Sequence, residues 1–174
     1  MRDHLELPQD RLLVGLYGGI NARKNPALAF DAMIRTGLNA DLVLAGPVDE
    51  FSHAWLAGLD PAQRARVIVD DGFLSDERLD QHLAASDVVV LLMTLEGPSG
   101  IQGKAIAAGV PVLTAGSKTR ARELAAIGSG VATDYDVESI AVGMRRVLTG
   151  QVPTATHQLS LPTGDTFAEA VLGR

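Results

Sequence analysis

The sequence predicts an α/β protein, a single Rossmann-like domain of three layers in which helices cover both faces of a mostly parallel six-stranded sheet. Two observations along the 174-residue chain predict this class. Short apolar runs alternate with amphipathic stretches, as in a chain that passes repeatedly from strand to helix. The apolar runs are also continuous, without alternating polar residues, which is typical of parallel strands that are buried on both faces.

The predicted strands lie in the apolar runs, at residues 12–17, 42–45, 67–69, 88–92, 110–113 and 131–132. The predicted helices cover residues 26–34, 50–58, 76–85, 103–108, 119–127 and 137–148. Asn25 followed by Pro26 favours a helix start, because asparagine is a good cap and proline suits the first helical position. Ser75 is the expected cap of the third helix, and Gly109 is expected to end the fourth in left-handed backbone.

The chain is predicted to contain one domain and a tail. Residues 1–148 form the predicted Rossmann-like domain. Residues 149–164 are polar, contain two prolines and are predicted to be a linker. Residues 165–174 are predicted to be a C-terminal helix fragment. Because so short a helix is marginal in water, it is expected to pack on this domain or on another piece of protein.

The composition excludes several classes of protein. Fifteen Lys and Arg against 21 Asp and Glu give a net charge of −6, whereas nucleic-acid-binding modules need clustered positive charge. The absence of cysteine excludes a disulfide framework and a thiolate nucleophile. No apolar run is long enough for a transmembrane segment, and no signal peptide is recognisable. The expected location is the cytoplasm, with the inner face of the membrane left open as an alternative.

Three glycine-containing loops follow predicted strands, at residues 18–19, 97–100 and 114–117. In an open parallel sheet, ligands bind beyond the carboxyl ends of the strands. Glycine lets backbone N–H groups approach a ligand and helix N-termini attract anions, so these loops favour a phosphate or diphosphate. The alternative is that the glycines only make tight turns. Neither the P-loop pattern nor the G-x-G-x-x-G pattern is present, and the four histidines lack metal-ligand spacing, so no metal is predicted.

Residues 14–26 and 96–112 resemble the group 1 family of glycosyltransferases, which are retaining, sugar-nucleotide-dependent enzymes of the GT-B fold. The fragments follow the family pattern in order: Val14 to Gly18, the Arg23–Lys24 pair, Glu96 with Gly97, and a final stretch at residues 107–112. The resemblance covers residues 11–148. It implies that the chain is the C-terminal, donor-binding half of a GT-B enzyme.

The resemblance also implies roles for individual residues. Glu96 is the catalytic candidate, as the contact to the donor sugar. The residues expected to bind the rest of the nucleotide-sugar are Gly18, Gly19, Arg23, Lys24, Gly97, Pro98, Ser99, Gly100, Ile101 and Lys104. A cation and backbone amides would neutralise the diphosphate leaving group without a metal. The loop at residues 72–74 resembles the family's base-contacting loop, but its Phe73 is expected to be buried and not to contact the base. Trp55 is likewise expected to pack in the core.

Two positions depart from the family pattern. Gly19 stands where the family has an arginine, and Arg23 is a candidate to compensate for that missing charge. Lys104 stands where the family has a second glutamate, which accepts hydrogen bonds from the ribose. A lysine has three donors and no acceptor. Lys104 is therefore expected either to donate to a ribose oxygen or to replace the positive charge that is missing at position 19.

The implied function is binding of a nucleotide-diphospho-sugar, as substrate and without a cofactor, for transfer of its glycosyl group. The acceptor would be held by an N-terminal domain in the same or another chain, so the isolated chain is expected to be inactive. The alternative is a degenerate domain that kept the fold, lost donor binding and serves as an interaction or regulatory subunit.

Overall fold

A computed structural model describes residues 2–152, and its centre is a six-stranded sheet in which all neighbouring strands are parallel. The strands are β1 (Leu12–Tyr17), β2 (Ala40–Ala45), β3 (Val67–Asp70), β4 (Val88–Leu92), β5 (Val112–Ala115) and β6 (Gly130–Thr133). Their order across the sheet is β3-β2-β1-β4-β5-β6. The predicted fold class is confirmed, and the sheet is wholly rather than mostly parallel.

Seven α-helices connect and follow these strands within the described residues. They are α1 (Pro26–Arg35), α2 (Glu50–Gly58), α3 (Pro61–Arg64), α4 (Asp76–Ala85), α5 (Gly100–Ala107), α6 (Lys118–Ile127) and α7 (Val137–Leu148). Short 3-10 turns cover Arg2–Leu5 and Ala22–Lys24. Asn25 caps α1 with Pro26 at its first position, and Ser75 caps α4, both as predicted.

Two apolar cores lie on opposite faces of the sheet. Val14 and Leu16 of β1 face the first core, which is covered by α1, α2 and α7. Leu13 and Tyr17 face the second core, which is covered by α4, α5 and α6. Because successive strand residues point to opposite faces, both sets must be apolar. This explains the continuous apolar runs in the sequence and confirms the three layers.

Some boundaries differ from the predictions. Helix α5 begins at Gly100 rather than at residue 103, because Ser99 caps it by accepting from the Gln102 N–H. Strand β5 begins at Val112 rather than at residue 110, since Pro111 has no N–H to donate to the ladder. Helix α3 was not predicted; a capping box between Asp60 and Gln63 forms it. The tail beyond residue 152, with most of the predicted linker and the predicted helix at 165–174, lies outside the described residues.

The amino edge of the sheet is fixed by buried and half-buried ion pairs. The carboxylate of Asp41, which is only 1% exposed, lies 3.0 Å from Arg11 and 3.0 Å from Arg66. Arg2 pairs with Asp87 at 2.7 Å, and Asp87 also accepts from the Leu13 N–H. These cations are therefore occupied at the edge opposite to the glycine loops.

At the carboxyl edge, the ends of β1 and β2 approach each other closely. The Gly18 N–H donates to the Ala45 carbonyl at 2.9 Å. Gly46 has φ +132°, and a Cβ there would lie 2.5 Å from the Gly18 carbonyl oxygen. Only glycine allows this contact, so Gly46 sets the position of the loop that follows β1.

We predict that Gly46→Ala destabilises the protein by about 2 kcal/mol or more, because it adds a backbone clash to an unfavourable φ. The matched control is Gly37→Ala, whose φ is +68° and whose Cβ would meet nothing within 4 Å. It should cost only about 1 kcal/mol. Urea unfolding measures both. Equal losses in the two variants would show that the Gly18 contact is not a constraint.

Candidate functional site

The candidate site lies at the carboxyl edge between β1 and β4. Strand β1 pairs with β2 on one side and with β4 on the other, so the order of strands reverses there. The chain leaves β1 toward α1 on one face of the sheet and leaves β4 toward α5 on the other face. The two loops therefore diverge, and this is the position at which open parallel sheets bind ligands.

The loop after β1 carries a partly buried cation. The Lys24 ammonium donates to the carbonyl of Tyr17 at the end of β1. It lies directly beside Gly18, since a Cβ on that glycine would be 3.0 Å from Lys24 Nζ. Burial, and to a smaller extent the charge of Arg23, lowers the pKa of Lys24 to about 8. Gly19 and Arg23 are exposed beside it.

The loop after β4 carries Glu96, and its carboxylate is bound to the N-terminus of α6. It accepts from Ser117 Oγ at 2.9 Å, from the Lys118 N–H at 2.9 Å and from the Thr119 N–H at 3.0 Å. The backbone bonds from Thr119 and Lys118 hold the pKa of Glu96 at about 2. The side chain is nonetheless exposed. Glu96 is thus a fixed, ionised acceptor, and none of the ion pairs among residues 2–152 joins it to Lys24.

Residues 97–101 lead from the loop after β4 into the first turn of α5. Gly97 has φ +129°, Pro98 follows it, and Ser99 is the cap. The N–H groups of Gly100 and Ile101 occupy the first two helical positions, which have no acceptor within the helix. This helix start therefore presents backbone donors on the β4 side of the candidate site, whereas Lys24 lies on the β1 side.

Lys104 is placed differently from the other predicted residues. Its ammonium lies 2.7 Å from Asp80 and 3.5 Å from Asp76, both on α4. The bond with Asp80 raises the pKa of Lys104. Its charge is therefore used between α5 and α4. In this arrangement it does not replace the cation that is missing at Gly19, because it lies with the α4 acids and not with Lys24.

The expectation that Phe73 is buried is wrong. Phe73 is 97% exposed in the loop between β3 and α4, at the carboxyl edge. Leu74, the next residue, is partly buried and packs against the second core. Trp55 packs against the first core, as expected, and makes an edge contact with Phe30 at a centroid distance of 5.9 Å.

Two further residues shape the site. Arg120 on α6 is only 2% exposed, and its guanidinium donates to the carbonyls of Met93 and Gly97. The sequence holds one signal for it: Arg120 lies one helical turn before the buried Leu124 on the apolar side of α6. Tyr135 donates to the Leu92 carbonyl at 3.3 Å and joins the end of β4 to the loop after β6.

The family model described as "Glycosyl transferases group 1" matches residues 1–160.

The chain belongs to the group 1 glycosyltransferases.

Several solved glycosyltransferases share its fold. One is WaaG, a glycosyltransferase involved in lipopolysaccharide biosynthesis (TM-score 0.68, 22% identity, 85% of this chain and 40% of that chain). A second is the sucrose-phosphate synthase from Thermosynechococcus elongatus (TM-score 0.74, 24% identity, 88% and 41%). A third is the lipopolysaccharide outer core galactosyltransferase WaaB in its apo form (TM-score 0.73, 18% identity, 95% and 50%).

This glycosyltransferase domain spans half or less of the length of those structures. At these identities the likeness shows the fold, which is one Rossmann-like half of a GT-B enzyme. No curated protein matches the sequence. Among residues 2–152, no helix has the length and apolar character needed to cross a membrane.

We predict that the contribution of Glu96 to stability is lost in acid. Its folded pKa of about 2 lies below the ordinary value of 4.5, so the ionised form stabilises the fold above pH 4.5. That stabilisation falls as the pH drops from 4.5 toward 2. The difference in unfolding free energy between the wild type and Glu96→Gln should shrink over this range in urea titrations. A control, Glu50→Gln, replaces an exposed carboxylate of α2; the same shrinkage there would contradict the assignment to Glu96.

Proposed function

We propose that this domain binds a nucleotide-diphospho-sugar at the carboxyl edge between β1 and β4. The glycosyl group would pass to an acceptor held by a second, N-terminal domain in the same or another chain. The observation that carries the proposal is the pairing of a desolvated lysine on the β1 side with an open helix N-terminus on the β4 side. Alone, the domain would bind donor and transfer nothing.

The diphosphate would lie between Lys24 and the start of α5. A diphosphate carries about two negative charges that must be neutralised as it becomes the leaving group. Lys24 supplies a cation in a partly buried place, where its attraction is screened less than at the surface. The N–H groups of Gly100 and Ile101 add donors and the positive end of a helix dipole. The loop at Gly18 and Gly19 lets the backbone come close to the ligand.

Glu96 would orient the sugar of the donor. A carboxylate has about four lone-pair positions, and donors from Ser117, Lys118 and Thr119 fill most of those on Glu96. The side chain is still exposed, so a sugar hydroxyl would donate to the acceptor capacity that is left. Because the pKa of Glu96 is held at about 2, it accepts hydrogen bonds at neutral pH and does not donate them. The family resemblance adds retention of anomeric configuration to the proposal.

The nucleoside would extend toward α4. Lys104 bonds Asp80 and lies 3.5 Å from Asp76, which leaves one of its three donors for a ribose oxygen. The exposed ring of Phe73 offers a face for the base at the end of β3. The alternative of a degenerate, non-catalytic subunit is not favoured, because the chain belongs to the glycosyltransferase family and keeps Lys24 and Glu96 at the expected edge.

A calorimetric titration with UDP, GDP, ADP and their sugar forms tests this proposal. At least one should bind saturably, and Lys24→Met should weaken that ligand by about tenfold or more, since a charged hydrogen bond is lost. The control is Arg23→Met, which removes the neighbouring exposed cation and should have a smaller effect. A flat titration with every ligand would refute donor binding, and equal losses in both variants would refute the role of Lys24.

Binding should also depend on pH through Lys24. With a pKa of about 8 in the free domain, the ammonium loses its proton as the pH rises from 7 to 9, and the affinity for the diphosphate should fall. In Lys24→Arg the guanidinium stays charged across this range, so the decline should be absent or much smaller. Parallel declines in the two proteins would assign the pH effect to another group.

A further inference from the structure

The loop that carries Glu96 is tied to α6 at both of its ends by one side chain. The Arg120 guanidinium donates through Nη2 to the Met93 carbonyl at 2.5 Å and through Nη1 to the Gly97 carbonyl at 3.2 Å. These two carbonyls bracket Glu96 in the sequence. Because a guanidinium is planar and its donors keep fixed angles, the two bonds define one separation and orientation of the loop ends.

Arg120 also contacts one of the groups that bind the Glu96 carboxylate. The backbone N–H of Arg120 donates to Ser117 Oγ at 3.3 Å, and the Ser117 hydroxyl donates to Glu96. The Glu96 charge attracts the guanidinium, as does that of Glu123 on the same helix. The loop backbone and the Glu96 carboxylate are therefore held by adjacent residues of a single helical turn.

The burial of Arg120 is not explained by stability alone. The side chain is 2% exposed, and its Nε–H has no acceptor among the described residues. Burying a charge with an unsatisfied donor is costly, and a hydrophobic residue of similar size is often at least as stabilising. Leu124, one turn later on the same side of α6, is buried in the second core. Arg120 thus has a use beyond packing.

We propose that Arg120 is the positioning residue for Glu96 and so sets the affinity of the domain for the glycosyl group of its donor. The second part rests on the proposed function. Without the two carbonyl bonds, the loop from Met93 to Gly97 would drift from α6 and Glu96 would leave the amides of residues 118 and 119. The diphosphate contacts at Lys24 would remain.

The first part is tested without any ligand, by carbon-13 NMR titration of the Glu96 carboxyl in the whole chain. The variants are Arg120→Met, which removes the charge and both bonds, and Arg120→Lys, which keeps the charge with a single nitrogen. In Arg120→Met the pKa of Glu96 should rise from about 2 toward the ordinary value of 4.5. Arg120→Lys should give an intermediate value. The control is Arg122→Met, an exposed residue on the same helix, which should leave it unchanged.

An unchanged Glu96 pKa in folded Arg120→Met would overturn the proposal. If that variant does not fold, Arg120→Lys carries the test. If neither variant folds, Arg120 serves the stability of the domain, and the positioning role is overturned as well.

The second part compares each nucleotide-sugar with its own nucleoside diphosphate by calorimetry. Arg120→Met should weaken the nucleotide-sugar by roughly tenfold and leave the nucleoside diphosphate within about twofold. Equal weakening of both would overturn the link to the sugar. If the wild type binds neither ligand, the proposed function fails, whereas the NMR result still decides whether Arg120 positions Glu96.

Discussion

The structure depends above all on the parallel pairing of β1 with strands on both of its sides. Parallel strands must be joined by crossovers, and here the crossovers on the two sides of β1 lie on opposite faces of the sheet. The loops after β1 and β4 are therefore drawn apart, while their strand ends remain neighbours. The pairing of β1 with β4 thus brings two loops that are distant in the sequence to the same point on the carboxyl edge.

The carboxyl edge carries a cation suited to phosphate and, separately, an anion suited to hydroxyl groups. Lys24 is a cation that lies half-buried beside Gly18, at a place suited to phosphate. Glu96 is an anion held by α6, so the N-terminus of that helix is already satisfied by the protein itself. The N-terminus of α5, in contrast, has its cap and two free helical positions. Of these two helix starts, α5 is thus the one suited to an incoming anion, and Glu96 remains available to hydroxyl groups.

The fold was largely predictable because apolar runs and caps are local signals. The strands at β1 and β4 and the starts of α1 and α4 follow from such runs and from Asn25 and Ser75. The side chains at the edge were less predictable, since their partners come from other elements. Lys104 bonds an acid on α4, 24 residues away in the sequence. Phe73 is exposed, whereas its neighbour Leu74 packs against the second core. Arg120 stands between Lys118 and Arg122, and its sequence neighbours make it resemble a surface residue.

Anion binding between the β1 and β4 loops is measured most directly by amide NMR of the nitrogen-15-labelled chain during titration with inorganic pyrophosphate. We expect saturable shifts at Gly18, Gly19 and Lys24 and at the start of α5, with the amides of Arg11 and Arg66 at the opposite edge unmoved. Shifts centred on those two arginines, or no saturable shift at any position, would contradict it.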